Sequence, residues 1–112
     1  EKGIFRTPSF SPDSKTIAFW KEEGNDHQGT AFSVKPGIYT VPATGGAATF
    51  HFNNYAQRPM FSADGKELLY YVDAGEKTLN AFHLEQKSHR TIASSQYAWE
   101  ILPSPDNKWI AF

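Results

Sequence analysis

Three stretches of the chain carry the same succession of apolar and polar positions. They are Thr7-Pro-Ser-Phe-Ser-Pro-Asp-Ser-Lys-Thr-Ile-Ala-Phe19, Arg58-Pro-Met-Phe-Ser-Ala-Asp-Gly-Lys-Glu-Leu-Leu-Tyr70 and Glu100-Ile-Leu-Pro-Ser-Pro-Asp-Asn-Lys-Trp-Ile-Ala-Phe112, and they align without a gap. In each, a short apolar segment limited by proline (8–10, 59–61, 101–102) leads into Ser-x-Asp-x-Lys, and a run of β-branched and aromatic residues follows. That pattern predicts strand, tight turn, strand. The turn has a mechanism: the Ser hydroxyl and Asp carboxylate accept bonds from backbone N–H groups just downstream. Gly65 and Asn107 stand where a positive φ is expected, and Ser14 has to bear some strain at the same place. A second hairpin follows each copy. The first runs from Gly37 to Val41, turns at Thr44-Gly45-Gly46 and returns over Ala47–Phe52. Its counterpart runs from Leu79 to Leu84, turns over Glu85–Ser88 and returns over His89–Ala93, which matches Tyr39 with Phe82 and Val41 with Leu84.

The repeated Asp recurs at Asp13, Asp64 and Asp106, so the periods are 51 and 42 residues. Four strands (A to D) in about 42 residues is the signature of a propeller blade. The fold class expected is all-β, a β-propeller fragment of about two and a half four-stranded antiparallel blades in one partial domain over 1–112. Blade 1 is placed at about 7–53, blade 2 at about 54–95, and the start of blade 3 at about 96–112. The competing fold is a β-sandwich whose hairpins look alike by chance; three gapless copies of one turn with matched flanks argue against it.

Phe10-Ser-Pro-Asp-Ser-Lys-Thr-Ile-Ala-Phe19, followed by Ile38-Tyr-Thr-Val41 and Gly45-Gly46, resembles the TolB-like (WD-repeat-like) β-propeller repeat, P-x-F-S-P-D-G-K-x-I-A-F, then I-Y-x-x, then G-G. Ser14 and Asn107 depart from the usual Gly, Ala63 from Pro, and Pro103 from Phe. The tail from Glu100 to Phe112 is similar to propellers that precede an amidohydrolase domain or belong to tricorn-like peptidases. The resemblance implies a periplasmic or otherwise exported protein and a propeller of six or more blades. A ring needs at least four blades, so this length of chain is expected to be a piece of a longer polypeptide. Its first and last strands are expected to present unpaired edges, and self-association is expected. The remaining blades and a catalytic domain of the parent chain are the partners implied, beside a protein or peptide ligand.

Composition narrows the classes. Aromatic residues at 15% and a net charge of −1 with interspersed signs describe a globular chain with no basic stripe for nucleic acid. No apolar run approaches the roughly 20 residues of a membrane span. The chain has no cysteine, so disulfides and thiolate metal sites are excluded. The four histidines, His27, His51, His83 and His89, show no metal-ligand spacing; neither a metal nor a cofactor is expected. His51 and His83 alternate with aromatics and are read as exposed strand positions. Serines are abundant without a G-x-S-x-G elbow, so no catalytic residue is assigned.

Candidate binding residues follow from the repeat. Repeat one is nine residues longer than repeat two, and the excess is placed in the B–C loop from Lys21 to Pro36. Insertions confined to one loop of a repeat protein often decorate its binding face. There Glu22, Glu23, Asp26 and His27 suit a cation or a basic ligand, against the plainer reading of a solvated polar loop. Arg6 and Arg58 precede strand A segments and are placed at loop positions facing the axial funnel. Ser11, Asp13, Ser62, Asp64, Ser104 and Asp106 are read as structural turn residues, and Trp20, Tyr71, Trp99 and Trp109 as inter-blade packing.

Three functions compete. The first is a non-catalytic propeller that binds proteins or peptides, or gates substrate, within a larger hydrolase or peptidase. The second is a stand-alone TolB-type protein-binding propeller. The third is a glycosidase with its active site in the central funnel, since Ser104-Pro-Asp-Asn-Lys-Trp109 is similar to the S-x-D-x-G-x-T-W box of sialidase-like enzymes. There Lys108 occupies the Gly position and Trp109 arrives two residues early.

Overall fold

The structure, a computed structural model, describes residues 4–22, 35–95, 102–104 and 108–111. Every regular element among them is a strand. Strands β1 (Ile4–Phe10), β2 (Thr16–Glu22), β3 (Gly37–Pro42) and β4 (Thr49–Phe52) form one antiparallel meander in sequence order. A second meander of the same order comprises β5 (Gln57–Phe61), β6 (Glu67–Ala74), β7 (Glu76–His83) and β8 (His89–Ser95). β9 (Leu102–Pro103) and β10 (Ile110–Ala111) pair as a third, two-stranded sheet. Two four-stranded sheets and a further hairpin make a partial β-propeller.

The sheets pack face to face. Ala18, Ile38 and Phe52 of the first meet Leu68, Tyr70 and Phe82 of the second, joined by Ala56, with Trp20, Phe61, Val72 and Leu84 around them. Leu69, Leu79 and Ala81 form a second cluster on the other face of the second sheet. β6 does not alternate: Leu68 and Tyr70 belong to the cluster between the sheets, Leu69 belongs to the cluster on the other face, and Tyr71 is buried as well. Phe10 and Phe61 hold the same repeat position with different fates. Phe61 packs against the seam between the sheets, whereas Phe10 is 60% exposed. What the first sheet leaves bare there is part of a face, so the open surface is more than the strand edge expected.

Two features of the ladders differ from the sequence reading. The first strand of each sheet begins upstream of its proline and carries a bulge. Arg6 pairs with Trp20 and Ser9 with Ala18; Gln57 pairs with Tyr71 and Met60 with Leu69. Thus Thr7-Pro8 and Arg58-Pro59 each oppose a single residue. Proline has no N–H to donate to a ladder, and the bulge takes it out of the pairing. Arg6 and Arg58 therefore stand inside β1 and β5, not in the loops before them, and they are not repeat equivalents, because Arg6 corresponds to Gln57.

The second difference is the match between hairpins. Ile17 pairs with Val41 and its equivalent Leu68 pairs with Phe82; Phe19 pairs with Tyr39 and Tyr70 with Asn80. Bulges fall between Ile38 and Tyr39 and between Leu79 and Asn80. The equivalents of Tyr39 and Val41 are thus Asn80 and Phe82, two residues earlier than the aromatic pattern suggested. A two-residue slip keeps every side chain on its face, so alternation alone cannot detect it. The B–C excess becomes ten residues, since 24 positions separate Ile17 from Val41 and 14 separate Leu68 from Phe82. The connection from the fourth strand to the next sheet is shorter by one in the first repeat.

Candidate functional site

The two fully described A–B turns are built alike. Ser11 Oγ donates to Asp13 Oδ1 at 2.6 Å, and the same oxygen accepts the Lys15 N–H at 3.0 Å. Ser11 Oγ in turn accepts the Thr16 N–H at 3.0 Å. In the second turn the corresponding bonds are Ser62 to Asp64 at 2.7 Å, Lys66 N–H to Asp64 at 2.9 Å and Glu67 N–H to Ser62 Oγ at 3.0 Å. Ser104 Oγ accepts the Trp109 N–H at 3.1 Å; Asp106 lies outside the described residues. These bonds hold both carboxyls below the usual range. For Asp13 the Ser11 hydroxyl has the larger effect, and for Asp64 the Lys66 N–H. Ser14 (φ 61°) and Gly65 (φ 74°) take the left-handed conformation the turn requires. Asp13 and Asp64 both line a cleft of about 290 Å³ between the turns.

A smaller cleft of about 220 Å³ opens at the opposite end, where the B–C and D–A connections emerge. Its walls come from the end of β2 (Trp20, Lys21, Glu22), from Pro36 and from the β4–β5 connection (Asn53, Tyr55, Ala56, Gln57). That connection is a tight turn. The Ala56 N–H donates to the Asn53 carbonyl at 2.7 Å and the Tyr55 N–H to Asn53 Oδ1 at 3.2 Å. Asn54 and Tyr55 both have positive φ, 43° and 53°. Two successive left-handed residues without glycine store strain, which costs of order 1–3 kcal/mol each and is concentrated at functional sites. Here the result is that Ala56 is buried while Tyr55 projects, 75% exposed.

The long B–C loop returns to the sheet beside this cleft through Lys35-Pro36-Gly37. The Tyr39 hydroxyl donates to the Lys35 carbonyl at 2.6 Å, and Lys35 Nζ lies 4.3 Å from the centre of the Phe50 ring. Gly37 has φ 146°, and a Cβ there would sit 2.5 Å from the Phe52 carbonyl oxygen. Lys21 is fully buried, with its Nζ 5.7 Å from the centre of the Tyr39 ring.

Of the acidic and basic residues singled out from sequence, Glu22 lines the cleft, half-buried at the end of β2. Glu23, Asp26 and His27 lie outside the described residues, as does Trp99. Arg58 sits in the β5 bulge with φ 52°, its guanidinium carbon 5.8 Å from the centre of the Tyr71 ring. Arg6 is fixed in the β1–β2 ladder opposite Trp20. Among the described residues no three His, Asp or Glu side chains gather closely enough to hold a metal ion.

The histidines are less exposed than their alternation suggested. His51 is half-buried at the seam, its Nε2 2.7 Å from Thr40 Oγ1. Burial is the larger cause, and the nearby Lys87 charge the smaller, that lowers its pKa below the ordinary 6.5. His83 is half-buried and accepts the Gln86 N–H at 3.1 Å. Trp109 is 75% exposed in this chain. Sequence reasoning missed Tyr55, Asn53 and Gln57 as cleft residues. The available signal was the recurrence of Tyr55-Ala56 as Tyr97-Ala98, upstream of the repeated turn.

No family model matches the chain, and no curated protein sequence does. Solved structures do match in fold. TolB from Acinetobacter baumannii superimposes with a TM-score of 0.69 at 21% identity, over 94% of this chain and 25% of that one. The β-propeller domain of the Trilobed protease from Pyrococcus furiosus, described as having an open velcro topology, gives 0.68 at 15% identity over 98% of this chain and 34% of that one. Pyrococcus horikoshii acylaminoacyl peptidase gives 0.69 at 15% identity over 96% and 16%. The chain thus spans about a third or less of each structure, and its fold is that of the β-propellers found in TolB and in these peptidases.

Proposed function

We propose that the chain is a non-catalytic propeller module that binds a peptide or protein segment at the Tyr55 cleft, as part of a larger and exported hydrolase or peptidase. The observation that carries this reading is the strained Asn53–Ala56 turn, which spends backbone energy to hold an aromatic ring in solvent beside a polar-rimmed cleft. Tyr55 and Trp20 offer aromatic surface. The amides of Asn53 and Gln57 match the donors and acceptors of a peptide backbone, and Glu22 suits a basic side chain. The likeness to peptidase propellers supports attachment to a catalytic unit. So does the half-bare face around Phe10, which another blade or a second copy would cover as the second sheet is covered at Phe61. A stand-alone binding propeller would use the same cleft.

The test is an array of short peptides probed with the chain. Binding is expected to weaken tenfold or more in Tyr55→Ala, with Glu22→Gln weakening basic peptides selectively. Equal binding by wild type and Tyr55→Ala would defeat the site assignment. Turnover of peptides or glycosides by the purified chain would defeat the non-catalytic one.

A further inference from the structure

Among the described residues three large apolar side chains are exposed: Phe10 at 60%, Tyr55 at 75% and Trp109 at 75%. Tyr55 belongs to the cleft described above. The repeat relates the other two, because it places them on opposite faces of a blade.

Backbone bonds fix the equivalences. The Ser11 N–H donates to the Thr16 carbonyl at 2.8 Å, the Ser62 N–H to the Glu67 carbonyl at 2.9 Å and the Ser104 N–H to the Trp109 carbonyl at 2.8 Å. Thr16, Glu67 and Trp109 are therefore one position, just after the repeated turn. In the same way the Ala43 N–H donates to the Lys15 carbonyl at 2.8 Å and the Leu84 N–H to the Lys66 carbonyl at 3.0 Å, so Ala43 stands where the second repeat has Leu84. Phe10 pairs with Ile17 as Phe61 pairs with Leu68.

The seam inside the chain shows what these positions do. Thr16 of the first sheet lines one cleft with Phe61 and Leu84 of the second, and Phe61 and Leu84 pack against the core between the sheets. A small side chain on the trailing face of one blade thus meets a Phe and a Leu on the leading face of the next. The first and third repeats carry the same positions with the sizes exchanged. On the leading face of the first blade Phe10 is kept, but Ala43 replaces Leu84 and leaves a hollow. On the trailing face of the third repeat Trp109 replaces Thr16 and supplies the bulk. Phe10, Ala43 and Trp109 are all exposed. Single exposed apolar side chains are ordinary on a protein surface. Two at positions that the fold itself pairs across a seam, with complementary sizes beside them, are not.

We propose that the Phe10 face docks a second copy of the chain, head to tail: Trp109 of one copy fills the hollow beside Phe10 and Ala43 of the next, repeating the internal seam. The two surfaces differ, so the contact is heterologous. It rests on the repeat and is independent of peptide binding at the Tyr55 cleft.

Sedimentation equilibrium between roughly 1 µM and 1 mM covers weak and moderate interfaces. The chain, 12.6 kDa as a monomer, is expected to gain mass as concentration rises. Phe10→Asp and Trp109→Ala should each weaken association by roughly tenfold or more, as the loss of a central aromatic anchor does. Both side chains are exposed, so neither variant threatens the fold. An equimolar mixture of the two should associate where each alone does not, because one keeps an intact Trp109 and the other an intact Phe10 face. Ala43→Leu should weaken association by filling the hollow. Ala43→Leu combined with Trp109→Thr should recover it, since that pair reproduces Leu84 and Thr16 of the internal seam. A monomer over the whole range leaves the face to another partner and overturns the proposal. So does association unmoved by Trp109→Ala or Ala43→Leu, or a mixture that fails to recover. Tyr55→Ala should associate as wild type does, so self-association and the cleft reading stand or fall separately; association lost in Tyr55→Ala would overturn the assignment of the docking faces.

Discussion

Ser62→Ala removes one oxygen from a turn whose geometry is fully specified. Ser62 is 7% exposed, and its Oγ is both the acceptor for the Glu67 N–H at 3.0 Å and the donor to Asp64 at 2.7 Å. Deleting it leaves that N–H without a protein partner at the start of β6, and frees Asp64 Oδ1 to be solvated. A net hydrogen bond contributes about 0.5–1.5 kcal/mol, and a buried donor left unpaired costs about 1–3 kcal/mol. Glu67 is only half-buried, so water recovers part of the larger figure. A loss of about 1–2 kcal/mol results, the range also measured when a Ser or Thr cap is removed from a helix start. For a domain of this size that is roughly 4–8 °C in Tm per kcal/mol. Urea unfolding should show a lower midpoint with an unchanged slope, because the folded and unfolded surfaces are the same. Ser11→Ala, with bonds of the same pattern at 2.6, 3.0 and 3.0 Å, should behave alike. A Tm within about 1 °C of wild type for both variants would refute the reasoning, because the turn would then be held by its backbone conformation alone.

Two further outcomes follow from the seam and the loop. His51 has a folded pKa below its ordinary 6.5, so the stability it contributes is present above that value and is lost as pH falls through the folded pKa. Thermal melts should show a decline below pH 6.5 that is smaller in His51→Gln; identical pH profiles would remove His51 as a cause. Gly37→Ala should destabilise by more than about 1 kcal/mol, because φ 146° disfavours a side chain and the new Cβ meets the Phe52 carbonyl at 2.5 Å. Equal urea midpoints for Gly37→Ala and wild type would show that the loop return is not constrained there.

What the chain made legible was what depends on near neighbours. The Ser-x-Asp-x-Lys turn is closed by bonds spanning two to five residues, so its chemistry recurs wherever those residues recur, and with it the blade period and the propeller. The hairpin match slipped by two residues at Tyr39 and Phe82 because side-chain alternation has period two, and only the cross-strand ladders, anchored at Ile17–Val41 and Leu68–Phe82, break the tie. Phe10 and Phe61 show a different limit. Their local sequences are interchangeable, and the difference in burial comes from whether a sheet lies against them. The cleft was illegible for the same reason: Trp20 and Glu22 stand at the end of β2 and Tyr55 on the β4–β5 connection, a whole hairpin apart in sequence, and they converge only when the first sheet forms. The exception is informative. Tyr55 recurs as Tyr97 in the sequence, and the turn at Tyr55 is closed by Asn53 bonds that require no aromatic. An aromatic repeated at a position with no structural need for it is evidence for a surface role before any coordinates exist. If that role is binding, Tyr55→Phe should retain peptide affinity through its ring while Tyr55→Ala loses it; a fall in both would assign the contact to the hydroxyl instead.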